Sequence, residues 1–209
     1  METKLLTQQD MTEIVAILQR GGLVAFPTDT VYGLAVRYDD PQAIARLKQA
    51  KQRPETKPFP MMVASRAQIE RVAVVDARSR CLIDEWMPGA LTLVLRKRPE
   101  VDPEVTNGLA TIGLRMPDDE LVLEIINRVG VPLLVPSANL SGQPACTTSK
   151  QVMKQLAGRI DAIVVGESAG STSSTVCDVT GTTLNILRQG PIRLEDLEKT
   201  LQKTKEEHV

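Results

Sequence analysis

The sequence contains a single histidine, His208, which is the next-to-last residue. Chain termini are usually poorly ordered, so a histidine there is badly placed to act as a catalytic base or metal ligand. A Ser-His-Asp triad, a Cys-His pair and an HExxH metal site are therefore disfavoured. Any chemistry must depend on lysine, arginine, hydroxyl, amide or carboxylate groups, or on a bound ion.

Cysteine is also scarce, since Cys81, Cys146 and Cys177 are far apart and form no CxxC pair. This spacing favours reduced thiols over a disulfide framework or a zinc site. No apolar run approaches the length of a membrane span, and the first residues, METKLLTQQDMTE, lack the apolar stretch of a signal peptide. We therefore expect a cytoplasmic protein.

The sequence has no large charge imbalance and none of the common nucleotide-binding loops. The net charge is −1, so any electropositive site must be local. Neither GxxxxGK nor GxGxxG occurs, so a bound nucleotide would be held without a P-loop or a Rossmann turn. The aromatic content of 2% leaves few side chains for stacking on single-stranded bases.

What the chain does have is enough apolar sequence for one domain, with 42% hydrophobic residues in 209. Apolar periodicity predicts helices over 11–18, 41–51, 66–73, 78–86, 118–129 and 148–157, and a short charged helix at the end. Short apolar segments predict strands at 23–26, 61–64, 91–96, 111–116, 131–136, 160–166, 174–179 and 183–188. Several strands adjoin without an intervening helix, which predicts a single α/β domain with a twisted mixed sheet flanked by helices.

Hydroxyl side chains follow the first predicted strand in the motif PTDTVYGL at 27–34. One interpretation is turn chemistry, in which Pro27, Thr28 and Thr30 cap backbone groups. The other is recognition of a small polar ligand, because the hydroxyl groups stand at a strand end and Gly33 permits close backbone approach.

Cations gather in the motif KQRPETKP at 51–58, which contains Lys51, Arg53 and Lys57. Such a run is often only the solvated end of a helix. Two prolines stiffen this one, however, and a fixed loop of cations suits phosphate. Arginine binds phosphate oxygens in pairs, and lysine adds a point charge.

Further polar residues recur at strand ends along the chain. They are Thr111, Arg115, Ser137, Asn139, Ser173, Ser174, Thr175 and Arg188. Each alone is also explained as a turn cap or a surface side chain. Hydroxyl and guanidinium groups at the ends of at least five segments together indicate one shared site.

This ordered set resembles the YrdC-like family, the threonylcarbamoyl-AMP synthases, in a short single-domain form. The resemblance covers about residues 12–193 and rests on PTDTVYGL, KxR with Lys57-Pro58, TIGLRMP, PSANLSG, SSTVCDV and ILRQGPI. It implies a YrdC-like fold with a concave electropositive face, a catalytic domain at 8–195 and a C-terminal tail at 196–209. Two positions depart from the family pattern: Met62, where many relatives have histidine, and Cys146, where proline often stands.

The resemblance also implies an activity and a site. L-threonine, bicarbonate and ATP would give threonylcarbamoyl-AMP and diphosphate, for threonylcarbamoyladenosine formation beside the anticodon of tRNA by a partner transferase complex. Catalysis would involve Lys51 and Arg53; L-threonine would contact Thr30, Arg115 and Ser174; ATP would contact Arg53, Lys57, Thr111, Ser137, Asn139, Thr147 and Arg188. Mg²⁺ would accompany ATP, and no residue is assigned as a metal ligand.

Two other functions fit the same residues. An RNA-binding module could use the basic cleft on tRNA or double-stranded RNA through shape and phosphate contacts. A carbamoyl-adenylate-forming enzyme, like the YrdC-like domains of hydrogenase-maturation proteins, would use a related pocket. Those domains occur in longer chains with zinc-binding and acylphosphatase modules.

Overall fold

The computed structural model describes residues 2–53 and 58–206. Within these residues ten strands form one sheet: β1 Lys4–Leu6, β2 Val24–Phe26, β3 Gly33–Arg37, β4 Met61–Met62, β5 Leu91–Arg96, β6 Thr111–Arg115, β7 Leu133–Leu134, β8 Ala162–Val164, β9 Thr175–Asp178 and β10 Asn185–Arg188. The helices in the same residues are α1 Met11–Gln19, α2 Pro41–Lys51, α3 Arg66–Val72, α4 Ala77–Trp86, α5 Glu120–Val129, α6 Ser149–Leu156 and α7 Leu194–Glu206.

The sheet is mixed, with strand order β1-β8-β2-β3-β7-β4-β6-β5-β9-β10. The pairs β1/β8, β8/β2, β4/β6 and β5/β9 are parallel, and the other neighbours are antiparallel. The predicted single-domain α/β fold with a mixed sheet and flanking helices is thus confirmed.

The core divides between the two faces of the sheet, because alternate strand residues point to opposite sides. Leu34 and Val36 belong to one buried cluster, whereas Ala35 between them belongs to the other. Helices α1 and α5 pack on each other and supply the second cluster. None of the helices in the described part of the chain is both long and apolar enough to cross a membrane.

Helix α2 is bounded by sequence signals at both ends, and this fixes the start of the cationic motif. The side chain of Asp40 accepts hydrogen bonds from Gln42 N and Ala43 N, and Pro41 occupies the first helical position. The helix ends at Gln52, which has a left-handed φ of 50°. Lys51 is therefore the last helical residue, and Arg53 begins the loop.

Two strands were not predicted, β1 and β3. β1 contributes only three residues at the edge of the sheet, too few for an alternation pattern to be visible. β3 directly follows the PTDTVYGL hydroxyls and pairs antiparallel with β2, so residues 27–32 form the loop of a β-hairpin.

The C-terminal helix α7 packs against α4. Leu197 is fully buried, and Trp86 Nε1 donates a hydrogen bond to Thr200 Oγ1 at 3.1 Å. The proposed boundary between 195 and 196 falls inside this helix.

Candidate active site

One cleft brings together six of the residues assigned to the substrates or to catalysis, and Ser173 also lines it. The six are Thr30, Arg53, Arg115, Ser137, Ser174 and Arg188. Met62 and Val135 also line it, and both belong to the core cluster on the α1 and α5 face. The cleft therefore opens on that face of the sheet. The side chains come from segments up to 158 positions apart, between Thr30 and Arg188.

Sheet topology explains this convergence. β4 lies between β7 and β6, and β7 runs antiparallel to both. Leu133 is therefore level with Met62 and Arg115, and the chain leaves β7 beside Pro60, whose carbonyl accepts from Val135 N at 2.9 Å. An isolated bridge joins Gly33 to Ser137 and so brings the β2–β3 hairpin loop beside the PSANLSG segment. A Cβ on Gly33 would meet Val135 Cγ1 at 2.5 Å, which explains why the motif has glycine there.

Arg115 is held at the floor of the cleft by three hydrogen bonds. Its Nε donates to Gly89 O at 2.9 Å, its Nη1 to Thr30 Oγ1 at 2.7 Å and its Nη2 to Asp29 Oδ2 at 2.6 Å. Asp29 Oδ2 also accepts from the backbone N–H of Asp118 at 3.3 Å. Burial lowers the pKa of Arg115, and the Asp29 carboxylate opposes that shift. Protein groups alone thus fix the orientation of the guanidinium.

Removal of the Asp29 carboxylate should destabilise the fold, because the Arg115 side chain is only 4% exposed and would keep a buried, uncompensated charge. We expect Asp29→Ala to lower the free energy of unfolding by about 3 kcal/mol in urea titrations. The matched control is Asp39→Ala, which breaks the Arg37–Asp39 pair, with side chains 27% and 33% exposed. That loss should stay below about 1 kcal/mol; equal losses in the two variants would contradict this account of Arg115.

A second polar group surrounds Ser174 on the other side of the cleft. Arg188 donates from Nε to Ser174 O at 3.1 Å and from Nη2 to Ser174 Oγ at 3.2 Å. Ser174 Oγ and Thr92 Oγ1 lie 2.8 Å apart and share one hydrogen bond. Side chains from β5 and β10 thus contact the hydroxyl group of Ser174, the residue immediately before β9.

Three arginines contribute positive charge to the cleft. Arg53 donates from Nη2 to Pro58 O at 2.8 Å, and its guanidinium carbon lies 4.9 Å from the Phe59 ring centroid. Burial lowers the pKa of Arg53, with repulsion from Arg188 as a further cause. Burial also lowers the pKa of Arg188, with repulsion from Arg115 as a further cause. These charges repel one another without a ligand, so a bound anion would relieve the repulsion.

Lys51 lies behind the cleft lining and is only 1% exposed. Its Nζ donates to the backbone carbonyls of Ser137 and, at 2.7 Å, of Asn139. Ser141 N in turn donates to Lys51 O at 2.9 Å. Lys51 therefore fastens the PSANLSG segment to the end of α2, and the segment carries Ser137 into the cleft.

The buried ammonium should make stability depend on pH. Burial, followed by repulsion from Arg53, lowers the pKa of Lys51 from 10.5 to about 7. Between these values the unfolded chain binds more protons at this site than the folded chain, so stability rises with pH. We expect the unfolding free energy of wild type relative to Lys51→Met to rise by roughly 1 kcal/mol per pH unit above about pH 7 and to level off below it. Urea titrations across this range test this, and a pH-independent difference would contradict it.

Four residues assigned to ATP or catalysis do not line the cleft. Lys51 and Asn139 are buried behind it. Thr111 is on the same strand face as Arg115 but four residues away. Thr147 forms hydrogen bonds to Gln151 through its backbone N–H and its hydroxyl group. Lys57 falls outside the described residues. The Thr147 hydroxyl lies 3.2 Å from Gln151 Oε1, in the first turn of α6.

Sequence reasoning did not identify Asp29, Tyr32 and Thr92 as site residues. Thr92 carried a weak signal, because it is the one polar residue before the terminal arginine of the apolar strand LTLVLR. Asp29 carried none, since an aspartate between two threonines is ordinary in a turn. Its role depends on Arg115, which is 86 residues distant in sequence.

The donor set around the cleft consists mainly of hydroxyl and guanidinium groups. Within the described ranges, no group of three His, Cys, Asp or Glu side chains could hold a metal ion. Hard divalent cations prefer carboxylate, carbonyl, phosphate and water oxygens. The described residues are thus better suited to an anionic ligand than to a cage for a cation.

The fold and the cleft define a single-domain α/β protein with three arginines in one cleft. The Sua5/YciO/YrdC family model, described as telomere recombination, matches residues 16–190, and the chain belongs to this family. The resemblance stated from the sequence motifs is confirmed.

Individual relatives support the same assignment. The chain is 37% identical to the threonylcarbamoyl-AMP synthase of Bacillus subtilis, over 91% of this chain and 56% of the relative. It is 39% identical to the Pyrococcus abyssi threonylcarbamoyl-AMP synthase, over 88% and 55%. The crystal structure of P. abyssi Sua5 complexed with L-threonine matches with a TM-score of 0.90 and 35% identity, covering 96% of this chain and 61% of that one. The chain thus spans a little over half the length of these relatives.

Proposed function

We propose that this protein is an L-threonylcarbamoyladenylate synthase, which converts L-threonine, bicarbonate and ATP to threonylcarbamoyl-AMP and diphosphate. The observation that carries this proposal is the convergence of Thr30, Arg115 and Ser174 beside Arg53 and Arg188 in one cleft. The relatives named threonylcarbamoyl-AMP synthase, and the P. abyssi Sua5 complex with L-threonine, support the choice of substrates.

Threonine would occupy the side of the cleft formed by Arg115 and Thr30. A guanidinium has five N–H donors, and the protein contacts described above use three of those of Arg115. One hydrogen on each of its terminal nitrogens is left for the substrate carboxylate. Since Asp29 already orients the guanidinium, little ordering of this side chain is needed on binding.

ATP would occupy the side formed by Arg53, Arg188 and Ser137, with Lys57, Thr111, Asn139 and Thr147 as further proposed contacts. The triphosphate would relieve the repulsion among the arginines. Lys51 would contribute indirectly, by fixing the Ser137 segment through its two carbonyl contacts. Mg²⁺ would enter as the magnesium complex of ATP, with phosphate and water oxygens as most of its ligands.

The reaction needs positioning and charge stabilisation more than a protein nucleophile. The threonine amine captures the bicarbonate carbon, a carbamate forms and water leaves. A carbamate oxygen then attacks the α-phosphorus, and diphosphate departs with the bonding electron pair. Arg53 and Arg188 would stabilise the negative charge that develops on the phosphate oxygens.

The proposal also includes a cellular location and a partner that consumes the product. We place the enzyme in the cytoplasm, in keeping with three free thiols, of which Cys146 and Cys177 are buried. Its product is a mixed anhydride of a carbamic and a phosphoric acid, which a tRNA-threonylcarbamoyl transferase complex would consume.

Threonine-dependent diphosphate release tests this function. Wild-type protein with magnesium ATP, threonine and bicarbonate should release diphosphate, and omission of threonine or bicarbonate should reduce the rate to background. Release with carbamoyl phosphate in place of threonine and bicarbonate would instead favour a carbamoyl-adenylate-forming enzyme. Salt-dependent RNA binding without nucleotide turnover would favour the RNA-binding module.

A further inference from the structure

The hydrogen bonds beneath the cleft determine which way the hydroxyl of Thr30 points. Thr28 and Thr30 are 1% and 3% exposed, so their hydroxyl groups find partners within the protein. A hydroxyl group has one hydrogen to donate and two lone pairs with which to accept. These few donors and acceptors limit what Thr30 can offer a ligand.

The hydrogen of the Thr28 hydroxyl is committed to a backbone carbonyl. Thr28 Oγ1 lies 2.7 Å from Val31 O, which can only accept, and 3.1 Å from Thr30 Oγ1. The shorter contact with the carbonyl takes the hydrogen. Thr28 Oγ1 then accepts from the backbone N–H of Thr30 at 3.1 Å and has one lone pair for the Thr30 hydroxyl.

The hydroxyl of Thr30 therefore donates its only hydrogen to Thr28. Arg115 Nη1 donates to Thr30 Oγ1 at 2.7 Å, and a guanidinium has no acceptor, so this bond occupies one lone pair of Thr30. One lone pair of Thr30 is left, and Thr30 lines the cleft. Toward a ligand, the Thr30 hydroxyl is an acceptor only.

Ser174 differs from Thr30 in this respect. It accepts from Arg188, and its contact with Thr92 joins two hydroxyl groups, either of which can donate. If Thr92 donates, the hydrogen of Ser174 is available for a ligand oxygen. The cleft therefore combines one acceptor of fixed polarity, Thr30, with donors at Arg115, whereas the polarity of Ser174 is set by its contact with Thr92.

We propose that Thr30 accepts a hydrogen bond from a donor group of the amino-acid substrate and that Thr28 is the positioning residue that sets this polarity; the identity of the ligand, L-threonine, rests on the proposed function. The donor is the α-ammonium or the side-chain hydroxyl of the substrate. Two groups of the amino acid would then be recognised, since Arg115 presents donors to the carboxylate and Thr30 presents an acceptor to a donor group.

Equilibrium binding to the wild-type protein, without ATP, tests the acceptor role. Calorimetric titrations would compare L-threonine with L-2-aminobutyrate, which lacks the side-chain hydroxyl, and with (R)-3-hydroxybutyrate, which lacks the ammonium. We expect the analogue that lacks the donor for Thr30 to bind at least roughly tenfold more weakly than threonine. Equal affinity for all three ligands would overturn the acceptor role, whereas an absence of threonine binding would count against the proposed function itself.

Variants at Thr28 test the positioning role. Thr28→Ser keeps the hydroxyl and should bind threonine within about twofold of wild type. Thr28→Val has nearly the same shape but frees the Thr30 hydrogen to rotate toward the ligand, so we expect roughly tenfold weaker threonine binding and reduced discrimination against the analogue. A merely structural role would lower the fraction of competent protein and leave the discrimination ratio unchanged.

A double-mutant cycle makes the coupling of the two residues measurable. Thr30→Val removes the acceptor, so the double variant Thr28→Val/Thr30→Val should discriminate no less than Thr30→Val alone. Wild-type discrimination in folded Thr28→Val, or independent losses at the two positions, would overturn the positioning role. If Thr28→Val does not fold, the same comparison is made with Thr28→Ala and Thr28→Ser.

Discussion

Replacement of Arg53 by alanine is expected to lower threonine-dependent diphosphate release by about 10²–10³-fold, which is the usual effect of removing one preorganised donor from a developing anion. Arg53 lines the cleft and shares its positive potential with Arg188. Stability should change little, because burial and repulsion from Arg188 already disfavour the charge of Arg53 in the folded protein. Initial rates and thermal unfolding of the same preparation measure the two effects.

The control for Arg53 is Arg66→Ala, which removes an arginine of a surface ion pair with Asp84 at 2.8 Å. Arg66 does not line the cleft, so its replacement should leave the rate within about twofold of wild type. A fully active Arg53→Ala enzyme would refute the role assigned to Arg53. So would a loss that merely parallels a loss of folded protein.

Arg115→Lys is expected to raise the KM for threonine by about 10²-fold and to change the KM for ATP much less. The charge is retained, but lysine is a single flexible donor centre and cannot reproduce three planar contacts while presenting two further hydrogens to a carboxylate. The carbonyl of Gly89 and the carboxylate of Asp29 would also lose a partner. Steady-state kinetics with each substrate varied in turn separate the two KM values.

Two other kinetic outcomes for Arg115→Lys would contradict the assignment of Arg115 to threonine binding. An unchanged KM for threonine with a raised KM for ATP would move Arg115 to the nucleotide side of the cleft. A loss of kcat with both KM values unchanged would place its contribution in the transition state rather than in threonine binding.

Much of the fold was visible in the sequence because local signals agree with the final structure. The strand 91–96 matches β5 residue for residue, and the proline and aspartate at 40–41 start α2 where expected. Strand β7 is shorter than predicted, with two residues in place of six, because the chain after Leu134 turns into the PSANLSG segment. Edge strands and short central strands take their identity from their partners, which no local pattern shows.

The cleft was predictable only in part, for a similar reason. The sequence identifies Arg115 as a candidate site residue, because it lies in an apolar strand and a buried guanidinium needs a partner. Its partner Asp29, and the hydroxyl of Thr28 that orders Thr30, act through contacts that exist only after folding. The sequence predicts that Lys51 contacts phosphate, whereas in the structure its buried ammonium group donates hydrogen bonds to two backbone carbonyl groups.

The most direct measurement of the central claim is mass spectrometry of the reaction product with isotopically labelled bicarbonate. Wild-type protein is incubated with magnesium ATP, L-threonine and ¹³C-bicarbonate and quenched before hydrolysis of the mixed anhydride. We predict a threonylcarbamoyl-adenylate that carries one labelled carbon and is absent when threonine is left out. An adenylate without the label, or ADP and phosphate formed at the same rate with and without threonine, would contradict the account.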